Sequence, residues 1–233
     1  MIISRTLEDV MTGKSLELGV VDVSTHSSGS ASAKIERTLN SITEASASEE
    51  YHIIVAPEYS FNPSTGPLSE SKLDRYLEVL RQAAGKTLLI PGTFIWEKEG
   101  KLRNSCYVFH DEKIIHQQDK IKNGGEVGLA AIYALKYQAG PYTAPFQWNG
   151  LKIGIEICAD VGMHAENGVR DLDLVFLISS GEMKLPKSME AVHQDGYGIL
   201  VDGLTRLYLA GDHATVDSTF TKMFGRRKKK RFF

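Results

Sequence analysis

The chain has 233 residues, 42% of them hydrophobic, and a formal charge of -2, enough to bury a core in one large domain or two small ones. Six consecutive cations run from Arg226 to Arg231, so the rest of the chain is the more acidic, which argues against a nucleic-acid-binding surface on the folded part. The two cysteines, Cys106 and Cys158, are too few for a disulfide framework. No run of about 18 apolar residues offers a membrane span, and the opening MIISRTLEDVMTG carries acids and no sustained apolar segment. A soluble cytoplasmic protein is expected.

In chain order, strand-like and helix-like stretches alternate with no Pro, Gly or Ser-rich linker between them, which predicts one α/β unit. After a polar lead, Leu16 to Val23 reads as a first buried strand, followed by the turn-rich THSSGS. Ile35, Leu39 and Ile42 then recur at helical spacing. His52 to Ala56 is a short apolar run that stops at Pro57-Glu58, a strand delivering a carboxylate at its end. Ser69 or Ser71 can cap a helix carrying the stripe Leu73, Leu77, Leu80 and Ala84, which Gly85 ends.

Thr87 to Ile95, Ser105 to His110 and Glu112 to Gln117 read as successive strands, with a turn at Glu99-Gly100-Lys101. Residues 118 to 150 show no sustained period and are expected to be loops around a site. Leu151 to Cys158 alternates Ile153, Ile155 and Ile157 on one face with Lys152, Gly154, Glu156 and Cys158 on the other, then breaks. Asp173 to Ser180, Gly198 to Asp202, Leu207 to Ala210 and His213 to Asp217 read as later strands, with a helix across Ser188 to Gly196.

Three segments place a reactive group at or just past a strand end, where α/β sheets gather their sites. They are Pro57-Glu58, Asp119-Lys120 and Cys158-Ala159-Asp160. A thiol needs a base to become a nucleophile, a carboxylate can be that base, and an ammonium can hold the oxyanion formed on attack at a carbonyl. Those three groups suffice for amide hydrolysis. Cys106, inside SCYVF, reads as a buried core filler, and His164 and His193 lack partners at ligand spacing. No glycine-rich nucleotide loop is present.

The ordered set VAPE, PGTF with RNSCYVF, HQQDKIK and GLKIGIEICAD, continued by RDLDLVFLISS and GDHATVD, resembles the nitrilase superfamily over roughly residues 16 to 217. The resemblance implies an α/β fold, a four-layer α-β-β-α sandwich, for a carbon-nitrogen hydrolase domain over 1–217, with 218–233 a basic, disordered tail. It implies Glu58 as general base, Lys120 as stabiliser of the tetrahedral intermediate and Cys158 as nucleophile, with the Ala159 N–H as oxyanion donor. Many relatives carry a Tyr or another larger residue where Ala159 stands. Lys122 lies in the same segment, but the spacing of Lys120 to Ile121 fits the family pattern. Glu126, the only acid between Lys120 and Glu156, stands where relatives use a second Glu, as an auxiliary or substrate-orienting residue.

The activity so implied is hydrolysis of a small amide or N-carbamoyl compound through a thioester, with no metal or organic cofactor, by a homodimer. Acyl transfer on the same fold, or a silent binding scaffold, are the alternatives. The tail at 226–231 could meet nucleic acid, anionic lipid or an import receptor.

Overall fold

The computed structural model describes residues 2–8, 15–21, 31–63, 65–181, 184–202 and 206–211. The strand expected at His213 to Asp217 and the basic tail lie outside them. The segment read as a polar lead contains β1 (Ile2–Glu8), which pairs antiparallel with β2 (Ser15–Val21) from Ile2↔Val21 to Glu8↔Ser15. Its mixed polarity hid it, because a strand at a sheet edge is not required to be apolar on both faces.

β2, β3 (Ile53–Val55) and β4 (Leu88–Ile90) run parallel, joined through α1 (Ala31–Ala47) and α2 (Glu70–Ala84). Of the two candidate caps it is Ser69 whose hydroxyl accepts from the Lys72 amide, and Gly85 at φ 47° ends α2. The expected single strand from Thr87 to Ile95 is two: β4 stops at Pro91-Gly92 and β5 (Thr93–Lys98) starts anew. Gly92 has φ +83°, and a Cβ there would lie 2.1 Å from the Pro57 carbonyl oxygen, so the break lets this turn pass beneath the Pro57-Glu58 corner. β6 (Lys101–His110) pairs antiparallel with β4, β5 and β7 (Lys113–Asp119), completing an 8-stranded sheet with β8 (Lys136–Tyr137).

The region expected to be loops holds α3 (Glu126–Ile132), β8 and β9 (Phe146–Trp148) as well. β9 opens the second sheet beside β10 (Leu151–Ile157), which pairs parallel with β11 (Leu172–Ser179). The helix expected across Ser188 to Gly196 is only α5 (Pro186–Met189); from Val192 the chain is β12 (Val192–Asp202), parallel to β11. Within the expected helix Val192 is buried and pairs with Leu172 of β11, and that pairing overrides the helical reading, whereas Gly198 to Asp202 is strand as expected. β13 (Arg206–Gly211) closes this 5-stranded sheet.

The sheets meet through one core: Leu18, Ile53, Val55, Ile90 and Val108 of the first pack with Ile153, Ile155, Ile157, Phe176 and Ile199 of the second. Cys106 is buried there as expected, its thiol pushed up by burial. The opposite face of the first sheet packs on α1 and α2 through Ile54, Leu89, Phe94 and Phe109. The opposite face of the second packs on α5 and on α4 (Met163–Glu166) through Val175, Leu177 and Leu200. These contacts accord with a four-layer arrangement. Among the described residues no helix is long and apolar enough to cross a membrane.

Candidate active site

The C-terminal ends of β3, β7, β10 and β11 come together where the two sheets touch. Glu58 follows β3, Lys120 follows β7, Cys158 follows β10, and Ser179 ends β11. The Glu58 amide donates to the Ser179 carbonyl at 3.3 Å, a backbone bond that ties one sheet to the other beside these groups. Tyr59 and Cys158 both have positive φ, 59° and 47°. Non-glycine residues adopt this conformation only when the surroundings enforce it, and such strain clusters at functional sites.

Lys120 is 1% exposed, and Glu58 and Glu126 are equally enclosed at 2% and 0%. Lys120 Nζ donates to Glu58 Oε1 at 2.7 Å and to Glu126 Oε1 at 2.6 Å. Asn104 Nδ2 donates to the same two oxygens at 3.0 and 3.1 Å. Tyr59 Oη also donates to Glu126 Oε1, and the Gly124 amide donates to Glu126 Oε2. The Ser180 hydroxyl donates to Glu58 Oε2 at 3.2 Å. Such a buried cluster is tolerable because nearly every charge meets an opposite charge or a donor.

Each group's proton affinity follows from this packing. Burial opposes the charge on Lys120, but the facing Glu58 and Glu126 carboxylates outweigh it and hold the ammonium above its ordinary range. Burial pushes Glu126 up, while bonds from Lys120 and Tyr59 bring it below the usual carboxylate value. Glu58 ends above that value because its burial outweighs Lys120 and the neighbouring Glu126 charge adds to the rise. Burial and the neighbouring Glu58 charge raise the Cys158 thiol. Lys120 and Glu126 are thus a fixed ion pair, and one proton can pass between Cys158 and Glu58.

Two side chains hold the turn at Cys158. The Asp160 carboxylate accepts the backbone N–H of Ile121 at 3.0 Å and of Lys122 at 2.6 Å, tying the strand end of Cys158 to the segment of Lys120. Glu156, fully buried, accepts from the Gly162 and His164 amides and the Ser188 hydroxyl, anchoring the chain past the cysteine. Gly124 lies above the ammonium, where a Cβ would stand 2.9 Å from Lys120 Nζ and 3.4 Å from the Ala159 Cβ.

The structure therefore brings Glu58, Lys120, Glu126 and Cys158 together, with Ala159 next to the thiol. Lys122 points elsewhere and pairs with Glu166 at the surface. His164 is buried, meeting Tyr142 and the Ile155 carbonyl, and His193 pairs with Asp173. Among the described residues no group of three or more His, Cys, Asp or Glu is placed to hold a metal ion. Asn104, Tyr59 and Ser180 are not among the candidates the sequence offers, and Asp160 enters there only as part of the Cys158-Ala159-Asp160 segment, with no role. Only Asn104 left a trace, a polar residue in phase with Leu102, Cys106 and Val108 on the inward side of β6.

No family model matches the sequence, and no curated protein is significantly similar to it. Solved structures are similar in fold. Nit3 of Saccharomyces cerevisiae, a member of branch 10 of the nitrilase superfamily, superimposes with a TM-score of 0.58 at 17% identity over 83% of this chain and 82% of its own. The chain has the nitrilase-superfamily fold.

The amidase of Nesterenkonia sp. AN1, in a form with the acetamide moiety of fluoroacetamide covalently added at its active-site cysteine, shares this nitrilase-superfamily fold. Its TM-score is 0.59 at 14% identity, over 76% of this chain and 77% of the amidase. The glutamine-dependent NAD+ synthetase of Acinetobacter baumannii gives 0.60 at 14% identity; 82% of this chain matches, and it spans only 41% of the synthetase.

Proposed function

We propose that the protein is a carbon-nitrogen hydrolase that cleaves a small non-peptide amide or N-carbamoyl bond through a thioester on Cys158. The observation that carries this reading is an ammonium, Lys120, held between the buried carboxylates of Glu58 and Glu126 at the strand ends where Cys158 also lies. Glu58 takes the thiol proton as sulfur attacks the carbonyl carbon, and the oxyanion is received by Lys120 and the Ala159 N–H. Collapse expels the amine, which takes its proton from Glu58; water, deprotonated by the same carboxylate, then cleaves the thioester. Glu126 keeps Lys120 charged and in place, and orients the substrate. In a Glu-to-Gln mutant of the Nesterenkonia amidase the active-site cysteine carries the acetamide moiety of fluoroacetamide, an adduct that supports a nucleophilic cysteine in that protein.

Intact-mass spectrometry after incubation with a panel of short primary amides and N-carbamoyl compounds tests the reading. An acyl adduct on Cys158, absent from Cys158→Ala, is expected. An adduct on Cys106 instead would overturn the assignment of the site, and a Cys158 thiol no more reactive than a free one would return the chain to a silent scaffold. Transfer of the acyl group to an amine is the second reading, distinguished by products formed with added amines. The dimer belongs to the same proposal, and light scattering that returns 25.8 kDa at micromolar concentration counts against it.

A further inference from the structure

Asn104 is a buried amide, 1% exposed, fixed on the rigid strand β6, whose carbonyl also accepts the Lys120 amide at 2.8 Å. Both side-chain contacts are carboxylate oxygens, so its NH2 and not its Oδ1 must face them. Its Oδ1 has no partner among the described residues. A buried carbonyl left unpaired costs free energy, so this side chain is set for what its nitrogen does.

Glu58 Oε1, Lys120 Nζ, Glu126 Oε1 and Asn104 Nδ2 form a closed ring of alternating acceptors and donors, with sides of 2.7, 2.6, 3.1 and 3.0 Å. A carboxylate oxygen has two lone-pair sites. Glu58 Oε1 already accepts two donors, an ammonium and an amide, which draw on its electron density and make it the less basic oxygen. At Oε2 one site is taken by Ser180 and one is left.

We propose that Asn104 is a positioning residue that completes this ring with Lys120, closing Oε1 of Glu58 so that the thiol proton of Cys158 is accepted only at Oε2. The S–H bond of Cys158 breaks as the Oε2–H bond of Glu58 forms, and no other reactant is needed. The ring also uses two of the three ammonium hydrogens of Lys120, leaving the third for the oxyanion. This inference rests on the reading of Glu58 as the base for Cys158.

The test is the pH dependence of Cys158 alkylation by iodoacetamide, followed by mass spectrometry in the wild type, Asn104→Leu and Asn104→Asp. Leu keeps the size without the N–H; Asp replaces the donor by an acceptor. A hydrogen bond to an ionised carboxylate changes its proton affinity by about tenfold or more. Without the donor Glu58 takes the thiol proton more readily and sheds the charge that opposes the thiolate, so the labelling midpoint should fall by about one pH unit in Asn104→Leu and further in Asn104→Asp.

An unmoved midpoint in both variants, with only the melting temperature lowered, would overturn the proposal and leave Asn104 a core filler. Slow, ordinary labelling of Cys158 in the wild type would instead sink the proposed function. A second measurement needs no variant at Asn104: the side-chain amide protons of Asn104 in the NMR spectrum should shift through the labelling midpoint. In Glu58→Gln that shift should vanish. Amide signals indifferent to the titration overturn the ring on their own.

Discussion

Cys158→Ala removes the proposed nucleophile and little else, so turnover should vanish while the melting curve stays close to that of the wild type. Glu58→Gln keeps a carbonyl oxygen where Lys120 and Asn104 donate and puts an NH2 where Oε2 stood. It should fold and lose about 10² to 10⁴ in rate, the usual worth of a general base. Lys120→Met should lose about 10² to 10³ in kcat as an oxyanion donor. It should also lose stability, about 3–5 kcal/mol, because two carboxylates stay buried with no cation. Cys106→Ser, in the core, should remain active. Because burial holds Glu58 above the ordinary carboxylate value of 4.5, the acid limb of kcat/KM should lie above that pH, and Glu58→Gln should abolish the limb. A limb at an ordinary carboxylate pH would contradict the desolvated site.

At the scale of elements, two short connections carry the geometry. Asp160 joins the β10 turn to the segment after β7 through two backbone N–H groups. Burial pushes its carboxyl up to about 6 against those two bonds, so the charge costs stability as pH rises through that value. Asp160→Asn should therefore lower the melting temperature little at neutral pH, yet cut kcat about tenfold, since its amide turns a donor toward Ile121 or Lys122. Equal activity would show that the clamp does not position Lys120. Gly92→Ala forces a Cβ against the Pro57 carbonyl at positive φ. It should destabilise by about 1–3 kcal/mol and slow turnover through displacement of Glu58, both read by a melting curve beside an activity assay.

For the whole molecule, the contact between sheets holds the strand ends, and hence the site, in register. Phe176, fully buried in that core, should cost about 3–5 kcal/mol as Phe176→Ala and lower the melting temperature on the order of 10 °C. Val127→Ala on α3, where the side chain is 52% exposed, should change it within error. A loss at Val127 matching that at Phe176 would mean that the α3 face is covered. The site also leaves a signature on stability. Glu126, held below the ordinary 4.5 by Lys120 and Tyr59 despite burial, adds stability above that pH, lost as pH falls through its lower folded value. Glu126→Gln should flatten that part of an acid denaturation profile.

The sequence by itself determined the alternation of elements and the ends at which they stop. Hydrophobic period and capping are local, so Ile153, Ile155 and Ile157, a cap at Ser69 or Ser71 and the Gly85 stop could be read directly, the structure choosing Ser69. Glu58, Lys120 and Cys158 could be picked out because each sits at a strand end within a familiar order of segments. Where local signals conflicted, as across Ser188 to Gly196 or at Pro91-Gly92, only pairing with β11 and passage under Pro57 decided the outcome. Asn104, Tyr59, Asp160 and Ser180 required the tertiary structure, since their partners lie 22 to 122 residues away. Local patterning carries no information about such distances; the meeting of two sheet ends creates them.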